Sequence, residues 1–295
     1  MNYVAFQSEL EALEGDGSLD FEQNLGARTS ALNFIALVDE VVRWRGKDAD
    51  ALSLQQRTEK LKSHLISIND QLYQRFREQI QAGSYLPQDL RREFDQYTNY
   101  RPGQKGVVHI GPDDLDVLVS GILGIDIESA PTTELQHPDM IHYEPTPARV
   151  ILDLIDNVGL QPNDVLYDFG SGLGQVVILV NLLSHAKAKG IEIDPVKCGP
   201  ARKYASQIGQ RGVAFINADV RKVDYSDGTV FYMFTPFKGS ILQTVLDQLR
   251  QEGQERKIRL CTYGACTLQM AKQPWVKSID ANADHEFKLA IFESA

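Results

Sequence analysis

Apolar residues in the first 125 positions recur at three- and four-residue intervals, the spacing of amphipathic helices. The clearest stripe, Leu61, Leu65, Ile68, Leu72, Phe76 and Ile80, predicts one long helix. Proline at a first helical turn and glycine-rich polar segments mark the element boundaries. The predicted helices are 29–45, 55–82, Pro87 to about Tyr97, and Pro112 to Leu123, with a loop over TNYRPGQKG at 98–106. This front part of the chain therefore reads as all-helical.

From Pro147 the pattern changes to short apolar runs that alternate with amphipathic helices. The predicted strands are 164–169, 188–193, 213–217, 229–234, 257–263, 275–280 and 286–293; the predicted helices are 147–158, 173–185, 195–209 and 239–251. Such alternation is typical of a mostly parallel sheet covered by helices on both faces. No helix is predicted between the last two strands, which suggests a terminal hairpin with an antiparallel edge strand. We predict an α/β, seven-stranded Rossmann-like domain over 131–295 and a helical domain over 1–130.

Composition narrows the class of protein. Hydrophobic residues make up 43% and charged residues 24% of the chain, and no apolar run has the roughly 18 residues of a membrane span. The first residues carry acids where an export signal would be basic. Three cysteines without a CxxC pair argue against a disulfide framework or a zinc site. We therefore expect a soluble, cytoplasmic protein without a membrane partner or a bound metal.

Charge is unevenly distributed along the chain. Residues 1–130 hold 13 basic and 21 acidic side chains, whereas 131–295 hold 17 and 19. Proteins that bind nucleic acid through its phosphates usually cluster basic residues, and no Lys/Arg run here exceeds two. An acidic surface is also the ordinary means of solubility. The excess of acidic residues and the absence of a basic cluster in the sequence favour a protein or small-amine substrate over nucleic acid.

Candidate chemistry begins at the turn after the first predicted strand, DFGSGLGQ at 168–175. In a parallel sheet, ligands bind beyond the carboxyl ends of the strands, and this turn faces that edge. Glycines allow a tight backbone turn and a close ligand, and the next helix presents unpaired N–H groups. The turn contributes Gly170, Ser171, Gly172, Gly174 and Gln175 as candidate cofactor-binding residues. A purely structural turn is the alternative.

The spacing of this turn distinguishes between cofactors. Dinucleotide-binding turns read GxGxxG, but this chain reads DxGxGxG, with Asp168 before the first glycine. A carboxylate there repels a pyrophosphate and can accept hydrogen bonds from a ligand ammonium. S-adenosylmethionine has that ammonium and no phosphate. The second strand ends in Glu192, where an acid binds ribose hydroxyls. We therefore predict S-adenosylmethionine as the cofactor, with a dinucleotide as the alternative.

The third and fourth strands end in further candidates. Asp219 follows the third strand, where it can accept a hydrogen bond from an adenine amino group or serve as a helix cap. The fourth strand leads into Thr235, Pro236 and Phe237. This turn is expected above the methyl donor, where Thr235 and Phe237 are the candidate catalytic residues that hold an amine nucleophile in line. An ordinary strand-ending turn is the alternative.

At these residues the chain resembles class I methyltransferases and, over about 142–238, the non-SET histone lysine methyltransferases of the disruptor-of-telomeric-silencing type. DFGSGLGQVV is the most specific part of the resemblance. It implies that Tyr143 and Thr146 lie in a loop covering the cofactor, that Asp168, Gly170, Gly172 and Gln175 line its methionine end, and that Glu192 and Asp219 hold the ribose and adenine. Without the resemblance, Tyr143 and Thr146 would belong to a proline-bounded turn.

The chain also departs from that family. Phe234 and Thr235 stand where the family has an Asn pair, and the basic tail that binds nucleosomes is absent. Thr235-Pro236-Phe237 resembles a variant of the Asn/Asp-Pro-Phe turn of amino-group methyltransferases. The sequence shows no obvious general base, which suits an amine that arrives neutral. We predict a methyltransferase acting on a nitrogen of a protein lysine or another amine. The alternatives are an NAD-dependent oxidoreductase and a non-catalytic S-adenosylmethionine-binding module.

Overall fold

The computed structural model describes residues 3–45, 49–98, 113–126 and 137–295. Its front part is helical: α1 (Tyr3–Gly15), α2 (Leu25–Arg45), α3 (Ala49–Gln81), α4 (Pro87–Tyr97) and α5 (Asp114–Leu123). The four predicted helices are confirmed, and α2 and α3 begin four to six residues earlier than predicted. The predicted loop over 98–106 and the start of the fourth helix at Pro112 lie outside the described residues, apart from Thr98.

Local sequence explains where these helices begin and end. Pro87 occupies the first turn of α4. Asp113 caps α5 in a reciprocal capping box with Asp116, and Gly124 ends it in the left-handed region at φ 70°. The helix α1 was not predicted, because it buries only two large apolar side chains, Phe6 and Leu10, against α2 and α3. Too few apolar positions recur in α1 to produce a recognisable stripe.

The second part alternates strands and helices as predicted. The strands are β1 (Val165–Phe169), β2 (Lys187–Glu192), β3 (Val213–Asn217), β4 (Val230–Phe234), β5 (Arg259–Tyr263), β6 (Val276–Ser278) and β7 (Ala290–Ser294). The helices are α6 (Ala148–Val158), α7 (Gln175–Ser184), α8 (Pro195–Gln207), α9 (Gly239–Glu255) and α10 (Cys266–Met270). The five-residue α10 was not predicted because it is too short to show periodicity.

The strands form one sheet in the order β3-β2-β1-β4-β5-β7-β6. β1 pairs in parallel with β2 and β4, so the strand order reverses at β1 and opens a crevice at its carboxyl end. β7 is antiparallel to both β5 and β6. The predicted hairpin is confirmed, but the antiparallel strand is not the edge strand: β7 is inserted between β5 and β6. Pairing order depends on contacts across the sheet, which periodicity does not encode.

Both faces of the sheet are covered. Leu246 of α9 packs against one face together with the sheet aromatics Phe169 and Phe231. The other face carries a larger apolar cluster that includes Phe76 of α3, Phe94 of α4, Leu118 of α5 and Val177 of α7. The front helices thus share a core with the sheet. The domain division at residues 130 and 131 stays a prediction.

A partly buried carboxylate joins the two parts of the chain. Asp116 of α5 accepts a hydrogen bond from the backbone N–H of Ala148, the first residue of α6, at 2.6 Å. Burial is the main cause that raises the pKa of Asp116 to about 6. This contact fixes α5 close to the segment that leads into the sheet. Within the described residues, no helix combines the length and apolar character needed to cross a membrane.

Candidate cofactor and acceptor site

The glycine turn between β1 and α7 has a backbone that requires glycine. Gly170, Gly172 and Gly174 have φ angles of 81°, 51° and 84°, in the left-handed region that other residues rarely adopt. A Cβ on Gly172 would lie 2.0 Å from the Tyr143 ring, and one on Gly170 would lie 2.4 Å from Pro236 Cβ. The turn is therefore in direct contact with the residues before α6 and after β4.

Asp168 at the carboxyl end of β1 is a buried carboxylate, with 3% of its surface exposed. Burial, followed by the negative charge of Glu192, raises its pKa to about 8. Within the described part of the chain, no hydrogen bond or ion pair neutralises it. A buried acid without a cationic neighbour carries a desolvation cost that a positively charged ligand would offset.

Glu192 at the end of β2 is also buried, but its oxygens are engaged. The backbone N–H of Gly172 donates to one oxygen at 2.9 Å, and the N–H of Asp194 donates to the other at 2.8 Å. Burial raises the pKa of Glu192, while these two amides and Lys197 act in the opposite direction. Each oxygen keeps a second lone pair for a ligand hydroxyl. Glu192 therefore fixes the glycine turn and can still accept hydrogen bonds.

The remaining predicted residues of the turn and its cover lie together. Ser171 is buried, and its hydroxyl finds no partner among the described residues. Gln175 is buried at the first position of α7. Thr146 is buried and accepts a hydrogen bond from Tyr232 of β4 at 3.4 Å. Burial and the nearby Asp168 and Glu192 charges raise the pKa of Tyr143. Ser171, Gln175 and Tyr143 thus lie in or against the glycine turn, and Thr146 lies against β4.

Asp219 has a local partner in this structure. Its carboxylate caps a short 3₁₀ turn, Val220–Lys222, by accepting the Arg221 N–H at 3.0 Å. It also pairs with the Arg221 guanidinium, at 2.6 Å from Nη2, which lowers the pKa of Asp219. The strand end still lies beside Glu192, because the Asn217 side chain donates to the Glu192 carbonyl at 2.8 Å. The capping role considered from sequence is what this geometry displays.

Thr235 adopts a φ of 39°, an uncommon conformation for a β-branched residue. Its hydroxyl donates to the Tyr263 carbonyl and accepts from the Cys266 N–H, both at 3.2 Å. Phe237 is 6% exposed and belongs to the apolar cluster beneath α9. The structure thus places the Thr235 hydroxyl between β5 and α10, and the Phe237 ring in the core.

A short upstream segment holds this turn in place. Ile141 donates to the Pro236 carbonyl at 3.2 Å, and Lys238 donates to the Asp139 carbonyl at 2.7 Å. The Asp139 carboxylate accepts the backbone N–H and the hydroxyl of Ser240 at the start of α9. The segment that leads to Tyr143 is therefore anchored directly on the turn that follows β4.

Two groups at this edge were assigned no role from the sequence. Phe234 and Tyr263, at the ends of β4 and β5, have ring centres 4.9 Å apart and are only partly buried. Lys197 in α8 is 7% exposed and lies close to Glu192 and Tyr143. The aromatic residues could have been found because they end adjacent apolar strands. Nothing in the sequence distinguishes Lys197 from a surface lysine.

The seven-stranded sheet and its covering helices form a Rossmann-like α/β fold. Residues 140–232 match the family described as Histone methylation protein DOT1, which confirms the predicted resemblance over that segment. The matched segment contains every predicted cofactor-binding residue and ends before Thr235 and Phe237.

A protein-lysine N-methyltransferase of Saccharolobus islandicus (strain REY15A) is 29% identical over 96 residues. That match covers 32% of this chain and 60% of the relative. Among solved structures, an RNA methyltransferase from Salinibacter ruber in complex with S-adenosyl-L-homocysteine is 25% identical, with a TM-score of 0.41, over 51% of this chain and 92% of that one. A precorrin-6y C5,15-methyltransferase from Geobacter metallireducens GS-15 is 20% identical, with a TM-score of 0.41, over 58% and 96%.

Proposed function

We propose that this chain is a methyltransferase that binds S-adenosylmethionine at the carboxyl end of β1. The observation that carries the proposal is the buried Asp168 carboxylate, which no cation neutralises among the described residues, directly before a glycine turn. An amino-acid ammonium supplies the missing charge. The match to a methylation family over residues 140–232 supports the same cofactor.

The other residues of the crevice fit the rest of that cofactor. Asp168 would hold the ammonium, and the Ser171 hydroxyl, which is buried and has no partner among the described residues, would bond to the methionine end. Glu192 would accept the ribose hydroxyls with its remaining lone pairs. Asp219 would accept the adenine amino group while it keeps its bond to Arg221, since each of its oxygens can accept more than one hydrogen bond. Tyr143 and Thr146 would cover the site, and the carboxylates would exclude a pyrophosphate.

Methyl transfer needs an acceptor aligned with the sulfonium methyl, which the bound cofactor supplies. Phe234 and Tyr263 form an aromatic pair at the adjacent strand ends and would shield the acceptor from water. Thr235 would act through its strained backbone, since its hydroxyl is already bonded. The buried Phe237 would support the turn from below. A neutral amine then requires alignment and desolvation more than a general base.

For the acceptor, we favour the nitrogen of a protein lysine or of another amine over nucleic acid. The matched family and the name of the Saccharolobus relative support a lysine. The excess of acids, 40 against 30 basic residues, also suits a cationic partner. The protein is proposed to act in the cytoplasm.

Calorimetry with S-adenosylhomocysteine tests this proposal, with NAD as the comparison. We expect the folded protein to bind S-adenosylhomocysteine and not NAD. At pH 8, Asp168→Ala and Glu192→Ala should each weaken binding by about 6-fold or more, since a buried hydrogen bond to a charged group contributes roughly 1.5–3 kcal/mol and the deprotonation of Asp168 offsets about 0.4 kcal/mol of it. Binding of NAD alone would support the oxidoreductase alternative, and unchanged affinity in both variants would refute the site.

A further inference from the structure

Lys197 is a buried lysine that the proposed methyl transfer does not use. It lies in the first turn of α8, and its Nζ is 2.5 Å from an Asp194 carboxylate oxygen. The same Nζ is 5.8 Å from the centre of the Tyr143 ring. Lysine is rarely this buried, and a charge removed from water must be compensated by specific partners. An acid on one side and an aromatic face on the other provide that compensation.

These contacts close a ring around the glycine turn. Tyr143 covers Gly172, whose backbone N–H donates to Glu192. The other oxygen of Glu192 accepts the N–H of Asp194, and the Asp194 side chain pairs with Lys197. The ring of contacts closes because the Lys197 ammonium lies over the Tyr143 ring. The cover of the crevice and the acid beneath it are therefore linked through one side chain.

We propose that Lys197 is a positioning residue of the cofactor site, which holds Tyr143 over the glycine turn and keeps Glu192 oriented and ionised for the ribose. The inference rests on the proposed cofactor. Lys197 acts through its neighbours, since its ammonium is already bound to Asp194. Without the Lys197 charge, Glu192 would be a buried acid close to the Asp194 carboxylate, and the Tyr143 ring would lose its cationic neighbour.

The charge environment gives this role a pH signature. Glu192 faces Lys197 and Cys198 of α8, the N-cap residue Asp194 and Asp168 of β1, while Tyr143 faces Tyr204 of α8. Among the groups that act on Glu192, Lys197 stabilises the ionised form. Removing Lys197 should therefore protonate Glu192 at a higher pH. Protonation of Glu192 in the variant also removes a charge that raises the pKa of Asp168, so the ratio of the affinities contains an opposing contribution from Asp168, smaller because burial is the main cause of that raised pKa.

The experiment compares Lys197→Met, Lys197→Arg and the matched control Lys203→Met, which removes the same charge from an exposed position of the same helix. S-adenosylhomocysteine affinity is measured by calorimetry at pH 6 and pH 8. We expect Lys197→Met to bind about 10-fold more weakly at pH 8 and by a larger factor at pH 6. Lys197→Arg should stay within about threefold of the wild type, as should Lys203→Met.

A second readout needs no cofactor. Hydrogen exchange of the amides of residues 142–144, Thr146 and Gly172 should become faster in Lys197→Met and remain unchanged in Lys203→Met. Thermal unfolding checks that each variant is folded. If Lys197→Met unfolds, Lys197→Arg decides: wild-type affinity and exchange support the proposal, and weakened affinity with faster exchange overturns it.

Three results would overturn the role of Lys197 while the proposed cofactor stands. They are unchanged affinity in folded Lys197→Met, an equal loss at pH 6 and pH 8, and unchanged exchange at the cover. The equal loss at both pH values would indicate packing alone. Absence of S-adenosylhomocysteine binding to the wild type would instead refute the proposed function, so the two failures are distinguishable.

Discussion

Replacing Asp168 with asparagine should weaken cofactor binding by an amount that depends strongly on pH. In the free protein the pKa of Asp168 is about 8, so the acid must lose its proton before it can pair with a ligand ammonium. That deprotonation costs about 2.7 kcal/mol at pH 6 and about 0.4 kcal/mol at pH 8. The charged hydrogen bond it permits contributes roughly 1.5–3 kcal/mol.

The difference between these terms predicts the measured affinities. At pH 6 the wild type has little or no advantage, and its dissociation constant for S-adenosylhomocysteine should lie within about 10-fold of that of Asp168→Asn in either direction. At pH 8 the wild type should bind roughly 6- to 80-fold more tightly than the variant. Wild-type affinity should rise about 10-fold from pH 6 to pH 7, with release of a proton.

Calorimetry in two buffers of different ionisation enthalpy measures both the affinity and the proton release. The folding stability of the free protein changes with pH in the opposite direction to the affinity. Because the folded pKa of Asp168 is raised above its unfolded value, the free wild type loses stability as pH rises from about 4 to about 8. Asp168→Asn avoids that loss. A wild-type affinity that is flat between pH 6 and pH 8, or an asparagine variant with the same pH slope, would refute the reasoning.

Three further substitutions test separate parts of the structure. Gly172→Ala places a Cβ against the Tyr143 ring at φ 51°. The substitution should lower the free energy of unfolding in urea by at least about 1–2 kcal/mol and abolish S-adenosylhomocysteine binding. Retained binding would contradict the position of Tyr143 over the cofactor. Thr235→Ala removes the hydroxyl that accepts a hydrogen bond from the Cys266 N–H. It should lower the free energy of unfolding by about 1–3 kcal/mol and leave the affinity for S-adenosylhomocysteine unchanged. A large loss of affinity would instead place the hydroxyl in the cofactor site. Arg28→Met should cost about 3 kcal/mol by urea unfolding, because buried Arg28 donates to Asn69 and three backbone carbonyls, and a loss below 1 kcal/mol would contradict that role.

Local patterns in the sequence predicted most of the fold. The strands β1 to β5 and the helices between them follow from short apolar runs and from the position of the glycine turn, and each is present within a few residues of its predicted bounds. The position of β7 between β5 and β6 was not predictable, because strand order depends on pairing between residues such as Leu260 and Phe292 that are far apart in sequence.

The candidate site also has features that could be predicted from the sequence and features that could not. DxGxGxG and the acid that ends β2 were visible because they are defined by residue type and spacing. The partners of the other polar groups were not visible, because they depend on side-chain directions in the folded chain. The Arg221 guanidinium pairs with the Asp219 carboxylate, the Thr235 hydroxyl accepts a hydrogen bond from the Cys266 N–H, and the Lys197 ammonium lies over the Tyr143 ring. Phe237, predicted with Thr235 as a candidate catalytic residue, lies two positions after the positive-φ Thr235 and belongs to the apolar cluster beneath α9.

Transfer of a labelled methyl group tests the central claim most directly. The protein is incubated at pH 8 with methyl-labelled S-adenosylmethionine and four acceptor classes: a lysine-rich protein, a small amine, an RNA and a DNA. We predict label in the protein or the amine, lost in Asp168→Ala and retained in the exposed-lysine control Lys203→Met. Label in none of the four, from protein that binds S-adenosylhomocysteine, would contradict a methyltransferase and favour a non-catalytic binding module.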